Sequence, residues 1–284
     1  EPGIVYSMVS NIVDRQFMFK PDHHPDNPLL SLRSPPEALS PDNDIIPEPS
    51  VINIIGSAAA RAQRDNPIQL HCLEVTPNHP HSNASVEREE QLGNIPGFYR
   101  DFKSKVARQL NEKWEHEGHV FGGRYRCSEC QSEVRAEQQL LYSLTNVVKD
   151  GLVENVRRSP FFSCWKALAE GEELRYWHID WEAFYLAGGM RSKQHRVKDY
   201  IRWEELVISP LPWQREWSEH RRQTWVRVNV REMEEGFARQ RRREGRPARG
   251  VPALYALDPR DRPSKPREKN GPVPRGLGSD PELQ

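Results

Sequence analysis

The sequence predicts an α+β protein in which short strands alternate with amphipathic helices. Residues 4–19 (IVYSMVSNIVDRQFMF) are rich in β-branched and aromatic side chains, which indicates one strand or a hairpin. Residues 69–75 form a second, shorter strand pattern. Between them, Ser50 suits the N-cap of a helix over residues 51–64, whose apolar residues recur on one face. This alternation predicts one main domain with a sheet and packed helices.

Two longer helices follow the second strand. The clearer one covers residues 96–114, where every fourth residue is apolar and forms a core-facing stripe. The second runs over residues 133–150 and ends at Gly151, because glycine readily takes the left-handed conformation that closes a helix.

The remaining segments set the predicted boundaries of the domains. Prolines, serines and acids at residues 21–49 indicate a loop insertion in a first domain that covers residues 4–168. Residues 169–244 predict a helical extension, with helix signals at 181–186, 197–206 and 225–243. From residue 245 to 284, proline, glycine and arginine dominate, so we expect a disordered tail there.

The overall composition argues against a membrane-spanning protein. Hydrophobic residues make up 36% of the chain and charged residues 29%, and no apolar run approaches the ~18 residues of a membrane span. We therefore expect a soluble, cytoplasmic protein.

The net charge of zero conceals a basic C-terminal part. Residues 221–275 contain 16 Lys and Arg against 7 Asp and Glu, a net charge of +9, so the remainder carries −9. A basic cluster of this kind suits a phosphate backbone, but a solvated disordered tail has the same composition.

The four cysteines leave three interpretations open. Cys127 and Cys130 form a single CxxC without a second ligand pair at zinc spacing. The motif is a redox pair, half of a zinc site, or a coincidence, and coincidence is favoured because a tetrahedral zinc site needs four ligands.

Two short motifs carry the chemistry of the sequence. His79 and His81 stand at i and i+2 on an extended segment, so their side chains point to one side. Tyr142 and Asn146 stand at i and i+4 on a helix and also share a face. If the two faces meet, they form a divalent-metal site beside a tyrosine hydroxyl. Alternatively, the histidines are exposed loop residues.

Several landmarks in the expected order resemble the REP-associated tyrosine transposases, a branch of the single-tyrosine HUH nucleases of the IS200-like transposase family. These landmarks are Tyr-Ser-Met-Val-Ser-Asn at residues 6–11, Pro-Asn-His-Pro-His at 77–81, Phe-Gly-Gly-Arg-Tyr at 121–125, and Leu-Tyr-Ser-Leu-Thr-Asn-Val-Val-Lys-Asp-Gly-Leu-Val at 141–153. The resemblance covers residues 4–168.

The resemblance implies a fold and an activity. The fold would be a ferredoxin-like antiparallel sheet with helices packed on one face. Tyr142 would be the nucleophile that takes a 5′ phosphate, and His79, His81 and Asn146 would bind Mg²⁺ or Mn²⁺. Phenol hydroxyls have a pKa near ~10, so a metal that withdraws charge from the phosphate would assist the attack.

The resemblance also implies partners and further contact residues. The substrate would be single-stranded or hairpin DNA in the bacterial nucleoid, cut and rejoined by a monomer or a homodimer during transposition. Arg124 and the cations of the helix at 96–114 are then candidates for phosphate contact: Arg100, Lys103, Lys105 and Arg108.

One departure from the family pattern supports an alternative. Pro80 stands between the two histidines, where the family has a bulky apolar residue, and proline cannot donate to a strand ladder. The alternative is a degenerate transposase that only binds DNA.

Overall fold

Four strands form an antiparallel sheet that organises the first half of the protein. The computed structural model describes residues 3–22, 48–191 and 196–263. The elements follow in the order β1 (Val5–Val9), α1 (Val51–Asp65), β2 (Gln69–Thr76), β3 (His79–Ser85), α2 (Asn94–Lys113) and β4 (Arg126–Cys130). The strand order is β2-β3-β1-β4, with every neighbour antiparallel. This βαββαβ arrangement is ferredoxin-like, so the fold class predicted from the sequence is confirmed.

Helices cover both faces of this sheet. On one face Ser82 of β3 hydrogen-bonds the Tyr99 hydroxyl of α2, which packs side by side with α1. The next helix, α3 (Glu133–Lys149), lies on the other face, where Ser143 donates to the side chain of Asn83 at 3.0 Å. The paired helices α1 and α2 therefore form the layer expected on one face, and α3 adds a layer on the opposite face.

The third strand is polar, although it lies in the interior of the sheet. Its residues 80–85 are buried, and the sheet supplies their hydrogen bonds. Pro80 fits because it pairs with Val75, whose N–H donates away from the strand to the carbonyl of Phe162. On the other side the Pro80 carbonyl accepts from Ser10 N at 3.2 Å, just beyond the end of β1. Pro80 therefore lacks only one backbone hydrogen bond, at the point where the pairing of β3 with β1 already ends.

A second, two-stranded sheet lies in the part of the chain that follows the first domain. The elements here are α4 (Trp165–Glu170), β5 (Leu174–Ile179), α5 (Trp181–Leu186) and β6 (Ile201–Leu206), and β5 pairs with β6 as antiparallel strands. The helix predicted at 197–206 is wrong for residues 201–206, which pair with β5 as a strand. Residues 197–200 form a short 3₁₀ helix. The pattern at residues 4–19 also predicted too long a strand, since β1 ends at Val9.

A long helix and a short one complete the described chain. α6 (Glu219–Glu244) packs along α3, and α7 (Val251–Tyr255) buries Leu254 completely. The structure corrects the expectation of disorder for residues 245–263, where three apolar residues dock the segment on the core: Val251, Leu254 and Leu257. Residues 264–284 of the predicted tail, and residues 23–47 of the predicted loop insertion, lie outside the described residues.

The CxxC motif lies on a strand, which decides between its three interpretations. Cys127 and Cys130 both belong to β4 and are free thiols. Residues at i and i+3 of a strand point to opposite faces, with Cα atoms about 10 Å apart. A disulfide needs Cα atoms within about 7 Å, so the coincidence interpretation is the one that fits.

None of the described helices combines the length and apolarity that crossing a bilayer requires.

Candidate active site

The β2–β3 hairpin places the two histidines of the motif. Pro77 and Asn78 form the turn, and the Thr76 hydroxyl donates to the carbonyl of His79 at 2.9 Å. His79 is half-buried and His81 is buried, with 6% of its surface exposed. The alternative that both histidines are exposed loop residues is therefore wrong.

Helix α3 brings the amide and the tyrosine to the same place. The side-chain amide of Asn146 lies 3.2 Å from Nε2 of His79 and 3.1 Å from Nε2 of His81. One turn earlier on α3, the ring of Tyr142 packs edge-on against His81 with centroids 5.7 Å apart. The structure thus brings together the four residues that the sequence pattern singled out, despite Pro80.

The hairpin turn also fixes the orientation of the His79 ring. Its Nδ1 lies 2.6 Å from Asn78 Oδ1 and 2.7 Å from Thr76 Oγ1. An amide oxygen only accepts hydrogen bonds, so Nδ1 carries the proton and Nε2 presents its lone pair toward Asn146. A second hydrogen bond of this kind is what orients a histidine that binds a metal.

Both imidazoles are neutral at physiological pH. Burial, followed by the charges of Arg15 and Lys149, lowers the pKa of His79 to about 4. Burial and the neighbouring His79 and Lys149 lower the pKa of His81 to about 3. Neutral imidazole is the form that coordinates a metal.

The donor atoms fit a divalent metal. Two ligands held at right angles at 2.0–2.1 Å from one Mg²⁺ are separated by about 3 Å. Both imidazole nitrogens lie at nearly that distance from the amide of Asn146. The amide nitrogen faces the histidines, and a half-turn of the side chain would present its oxygen as the third donor. Two imidazoles and an amide oxygen suit Mn²⁺ and are compatible with Mg²⁺.

A lysine that the sequence motif did not single out completes the site. Lys149 donates from Nζ to the Tyr142 hydroxyl at 3.1 Å, and its ammonium lies 4.5 Å from the centre of the ring. The spacing of seven residues on one helix, two full turns, is the signal that places Lys149 on the same face as Tyr142. Such a cation would stabilise negative charge on the phenolic oxygen.

The cations expected to contact DNA lie elsewhere. Helix α2 packs on the sheet face opposite to His81, so its cations do not join the histidines and Tyr142. Arg100 pairs with Asp101 at 2.9 Å, and Lys105 approaches Asp65 at 3.5 Å. Lys103 donates to the carbonyl of Gly123, and Arg108 lines a separate cleft near α5.

Arg124 lies outside the sheet, whereas Arg126 lies in β4, on the sheet face that carries His81. Arg124 is exposed in the loop before β4. Arg126 is in register with Val9, which is itself paired with His81. Arg126 therefore projects from the same sheet face as His81, two strands or about 10 Å away. The sequence motif drew attention to Arg124, whereas the strand register identifies Arg126.

A second group of potential metal ligands is buried beside the histidines. Cys72, Glu74 and Cys164 have ligand atoms within 4.8 Å of one another. The two thiols are 3.6 Å apart, and Glu74 accepts from the backbone N–H of Cys164 at 2.9 Å. Burial raises the pKa of the Glu74 carboxyl well above its usual range. The group satisfies its own hydrogen bonds, and its thiols suit a softer metal than Mg²⁺ or Mn²⁺.

Comparison with known proteins finds transposases among solved structures. No family model and no curated protein matches the sequence. A REP-associated tyrosine transposase bound to a REP hairpin is 16% identical, and the match covers 60% of this chain and 82% of that one with a TM-score of 0.39. A candidate transposase from Deinococcus radiodurans R1 is also 16% identical, with coverages of 48% and 85% and a TM-score of 0.30. Both TM-scores are low, so the functional argument depends on the geometry of the site.

Proposed function

We propose that the protein is a DNA transposase that cuts and rejoins single-stranded DNA through Tyr142, with Mg²⁺ or Mn²⁺ held by His79, His81 and Asn146. The observation that carries this proposal is the convergence of both Nε2 atoms on the Asn146 amide, with Tyr142 one helical turn away. A helical tyrosine and a buried histidine are each common in protein cores. Their meeting at one half-open site, in the order of the family motif, is the unusual feature.

In the proposed cleavage step Tyr142 attacks the scissile phosphate of the DNA. The Tyr142 oxygen forms a bond to the scissile phosphorus while the bond from phosphorus to the 3′ oxygen breaks. The phenolic proton passes to solvent, and the leaving 3′ oxygen takes a proton from water. The products are a 5′-phosphotyrosine and a free 3′ hydroxyl, and attack by another 3′ hydroxyl reverses the step to rejoin strands. The metal supplies Lewis-acid polarisation of the phosphate when bound.

The surrounding residues prepare this step. The ammonium of Lys149 stands at the Tyr142 hydroxyl and favours the charged oxygen that attacks. Thr76 and Asn78 hold His79 in the tautomer that presents Nε2. Burial keeps both imidazoles neutral and therefore available as ligands.

The substrate assignment depends on the sequence resemblance and on charge. The family acts on hairpins with flanking single strands, and a hairpin is the form in which one strand of a mobile element presents a fixed shape. Arg126, on the site face of the sheet, is the cation placed to contact a phosphate of the hairpin.

Covalent capture tests the proposal. Protein is incubated with Mn²⁺ and labelled hairpin oligonucleotides taken from palindromes that flank the gene, then separated on a denaturing gel. We expect an adduct that chelator, Tyr142→Phe and His79→Ala abolish. Tyr185→Phe is the matched control, because Tyr185 is an exposed tyrosine on α5. An adduct that survives Tyr142→Phe would refute the assignment.

The alternative of a DNA-binding protein without catalysis predicts a different result. It requires the same oligonucleotides to bind with equal affinity to the wild type and to Tyr142→Phe, with no adduct in either. Metal would then have no effect on binding.

A further inference from the structure

A cleft opens directly beside the candidate active site. It has a volume of 580 Å³, within the ~300–1,000 Å³ typical of ligand sites. One wall comprises the segment after β1, the β2–β3 turn with His79, and the end of α3 with Lys149. The other wall is the segment from the end of α6 through α7, which the sequence predicted to be a disordered tail.

The cleft is positively charged. Its acids are Asp150 and Glu244, against five cations that give it a net charge of +3: Arg15, Lys149, Arg241, Arg246 and Arg249. Glu244 accepts from Arg246 at 3.3 Å, and Arg241 donates to the carbonyl of Val148 at 2.6 Å. The guanidinium of Arg249 is exposed and meets no acid among the described residues. The cleft therefore keeps a net positive charge, and Arg249 stands outside the ion pairs of the described residues.

An aromatic ring and a strained turn occupy the wall after β1. Phe17 lines the cleft and is only half-buried. Asp14 and Arg15 take φ values of 52° and 61°, two successive non-glycine residues in the left-handed region. Such backbone conformations cost free energy and persist where the surrounding structure enforces them. Here the strained turn brings Arg15 to the cleft beside His79, where burial first and the Arg15 charge second lower the pKa of the imidazole.

The second wall is anchored to the catalytic helix. The backbone N–H of Arg249 donates to the carbonyl of Gly151 at 2.9 Å, and that of Gly250 donates to Leu152 at 3.1 Å. Leu254 is fully buried beneath this wall, and the N–H of Phe17 donates to the carbonyl of Asp261 at 3.1 Å. The backbone that carries Arg246 and Arg249 is thus tied to the end of α3, the helix that carries Tyr142.

We propose that this cleft binds the single-stranded DNA flank that runs from the scissile phosphate, with phosphates on Arg246 and Arg249 and a base stacked on Phe17. A row of cations beside an accessible aromatic face, here that of the half-buried Phe17, is the combination by which proteins hold single strands without reading their sequence. The proposal deepens the proposed function and rests on it, because the cleft is continuous with the site through His79 and Lys149.

The test compares two pairs of arginines from the same basic segment. Arg246→Ala/Arg249→Ala removes two cations from the cleft wall. Arg239→Ala/Arg243→Ala removes two exposed cations that do not line the cleft. Binding of a blunt hairpin and of the same hairpin with a 5′ or a 3′ single-stranded flank is measured by fluorescence anisotropy over a range of salt concentrations.

We expect Arg246→Ala/Arg249→Ala to weaken binding of one of the two flanked hairpins, the 5′ or the 3′ form, by about 10-fold or more, because two charge-assisted contacts are lost. The slope of log affinity against log salt should decrease by about 1.4, the value for two phosphates on a single strand. The blunt hairpin should bind as before, and the control pair should bind all three DNAs as the wild type does. Phe17→Ala should weaken the same flanked hairpin without changing the slope.

Two results would overturn the cleft assignment. One is an equal loss for the blunt and flanked hairpins, and the other is an equal loss for the two arginine pairs. Adduct formation by the same variants, measured at saturating DNA, separates this outcome from failure of the proposed function. Flank-specific binding without any adduct would sink the catalytic role of Tyr142 and leave the cleft in place.

Discussion

The contact between Lys149 and Tyr142 shows how a single residue can change the chemistry of a site. The tyrosine hydroxyl accepts from a cation that also lies against its ring. In a partly desolvated site a fixed positive charge stabilises developing negative charge more strongly than water does. The helix that carries the proposed nucleophile therefore also carries a cation that would support it electrostatically.

Removal of this cation should slow the chemical step. We expect Lys149→Gln to lower the rate of adduct formation by about 10- to 100-fold at saturating DNA, with Lys149→Arg retaining part of the rate. Single-turnover kinetics with labelled hairpins would measure it. Lys166→Gln on α4 is the matched control, and an unchanged rate in Lys149→Gln would mean that the contact has no catalytic role.

The Asn146 amide provides a second test at this scale, independent of DNA. Asn146→Ala should weaken Mn²⁺ binding by about 10- to 100-fold, because one of three protein donors is lost. Electron paramagnetic resonance of free Mn²⁺ would measure the affinity. Gln138→Ala, on the same stripe of α3 two turns earlier, should bind Mn²⁺ as the wild type does. Equal affinities for all three proteins would exclude Asn146 as a ligand.

At the scale of elements, the close packing of α1 against the second sheet decides which substitutions are tolerated. Gly56 lies in α1 directly over the ring of Tyr176 on β5. An added methyl group would overlap that buried ring, which cannot move aside as the tip of a flexible side chain could. Gly236 in α6 has open space in the same direction. The two glycines should therefore respond oppositely to the same substitution.

We expect Gly56→Ala to destabilise the protein by about 1–3 kcal/mol through overpacking. Gly236→Ala should stabilise it by about 0.5–1 kcal/mol, because alanine is the better helix former. Urea denaturation of both variants would measure the changes in the free energy of unfolding. A stabilised Gly56→Ala protein would contradict the packing of α1 on β5.

The elements also show which features a sequence pattern can predict. The helices α1, α2 and α3 were predicted within a few residues, because their apolar stripes and caps are local signals. Strand β3 has no apolar alternation, since most of its buried side chains are polar, and Ser82 and Asn83 hydrogen-bond to side chains of α2 and α3. The local pattern predicted a helix at residues 201–206, but these residues form strand β6, because pairing with β5 overrides local propensity.

The part of the candidate site that depends on local sequence spacing was predicted, and the part that depends on tertiary structure was not. His79, His81, Tyr142 and Asn146 were recognisable from spacing within their own elements. Arg126 and the cleft were not, because they depend on strand register and on how residues 245–263 return to the end of α3. The cations of α2, expected as phosphate contacts, lie on the sheet face opposite to His81, and a helix pattern alone does not say which sheet face the helix covers.

At the scale of the whole molecule, the C-terminal segment is a part of the core. Leu254 of α7 is fully buried, and Arg241 of α6 donates to the carbonyl of Val148 at the end of α3. The extension thus stabilises the helix that carries Tyr142. A substitution that loosens this segment should therefore lower the free energy of unfolding and also change the shape of the cleft.

Leu254→Ala should therefore destabilise the protein by about 3 kcal/mol and lower its Tm by several degrees. Val228→Ala, at a position in α6 that is 58% exposed, should leave the Tm within one degree or so of the wild type. Differential scanning calorimetry would compare them. Equal melting of Leu254→Ala and the wild type would mean that α7 does not belong to the cooperative unit.

The identity of the residue that bonds to DNA is the central claim, and mass spectrometry of the adduct tests it most directly. The denatured adduct is digested with nuclease and trypsin, and the peptide that retains a nucleotide is sequenced. We predict a 5′-phosphotyrosyl nucleotide on Tyr142, in the tryptic peptide from Ala136 to Lys149. A nucleotide on any other residue, or no modified peptide from protein that binds the hairpin with Mn²⁺ present, would contradict the account.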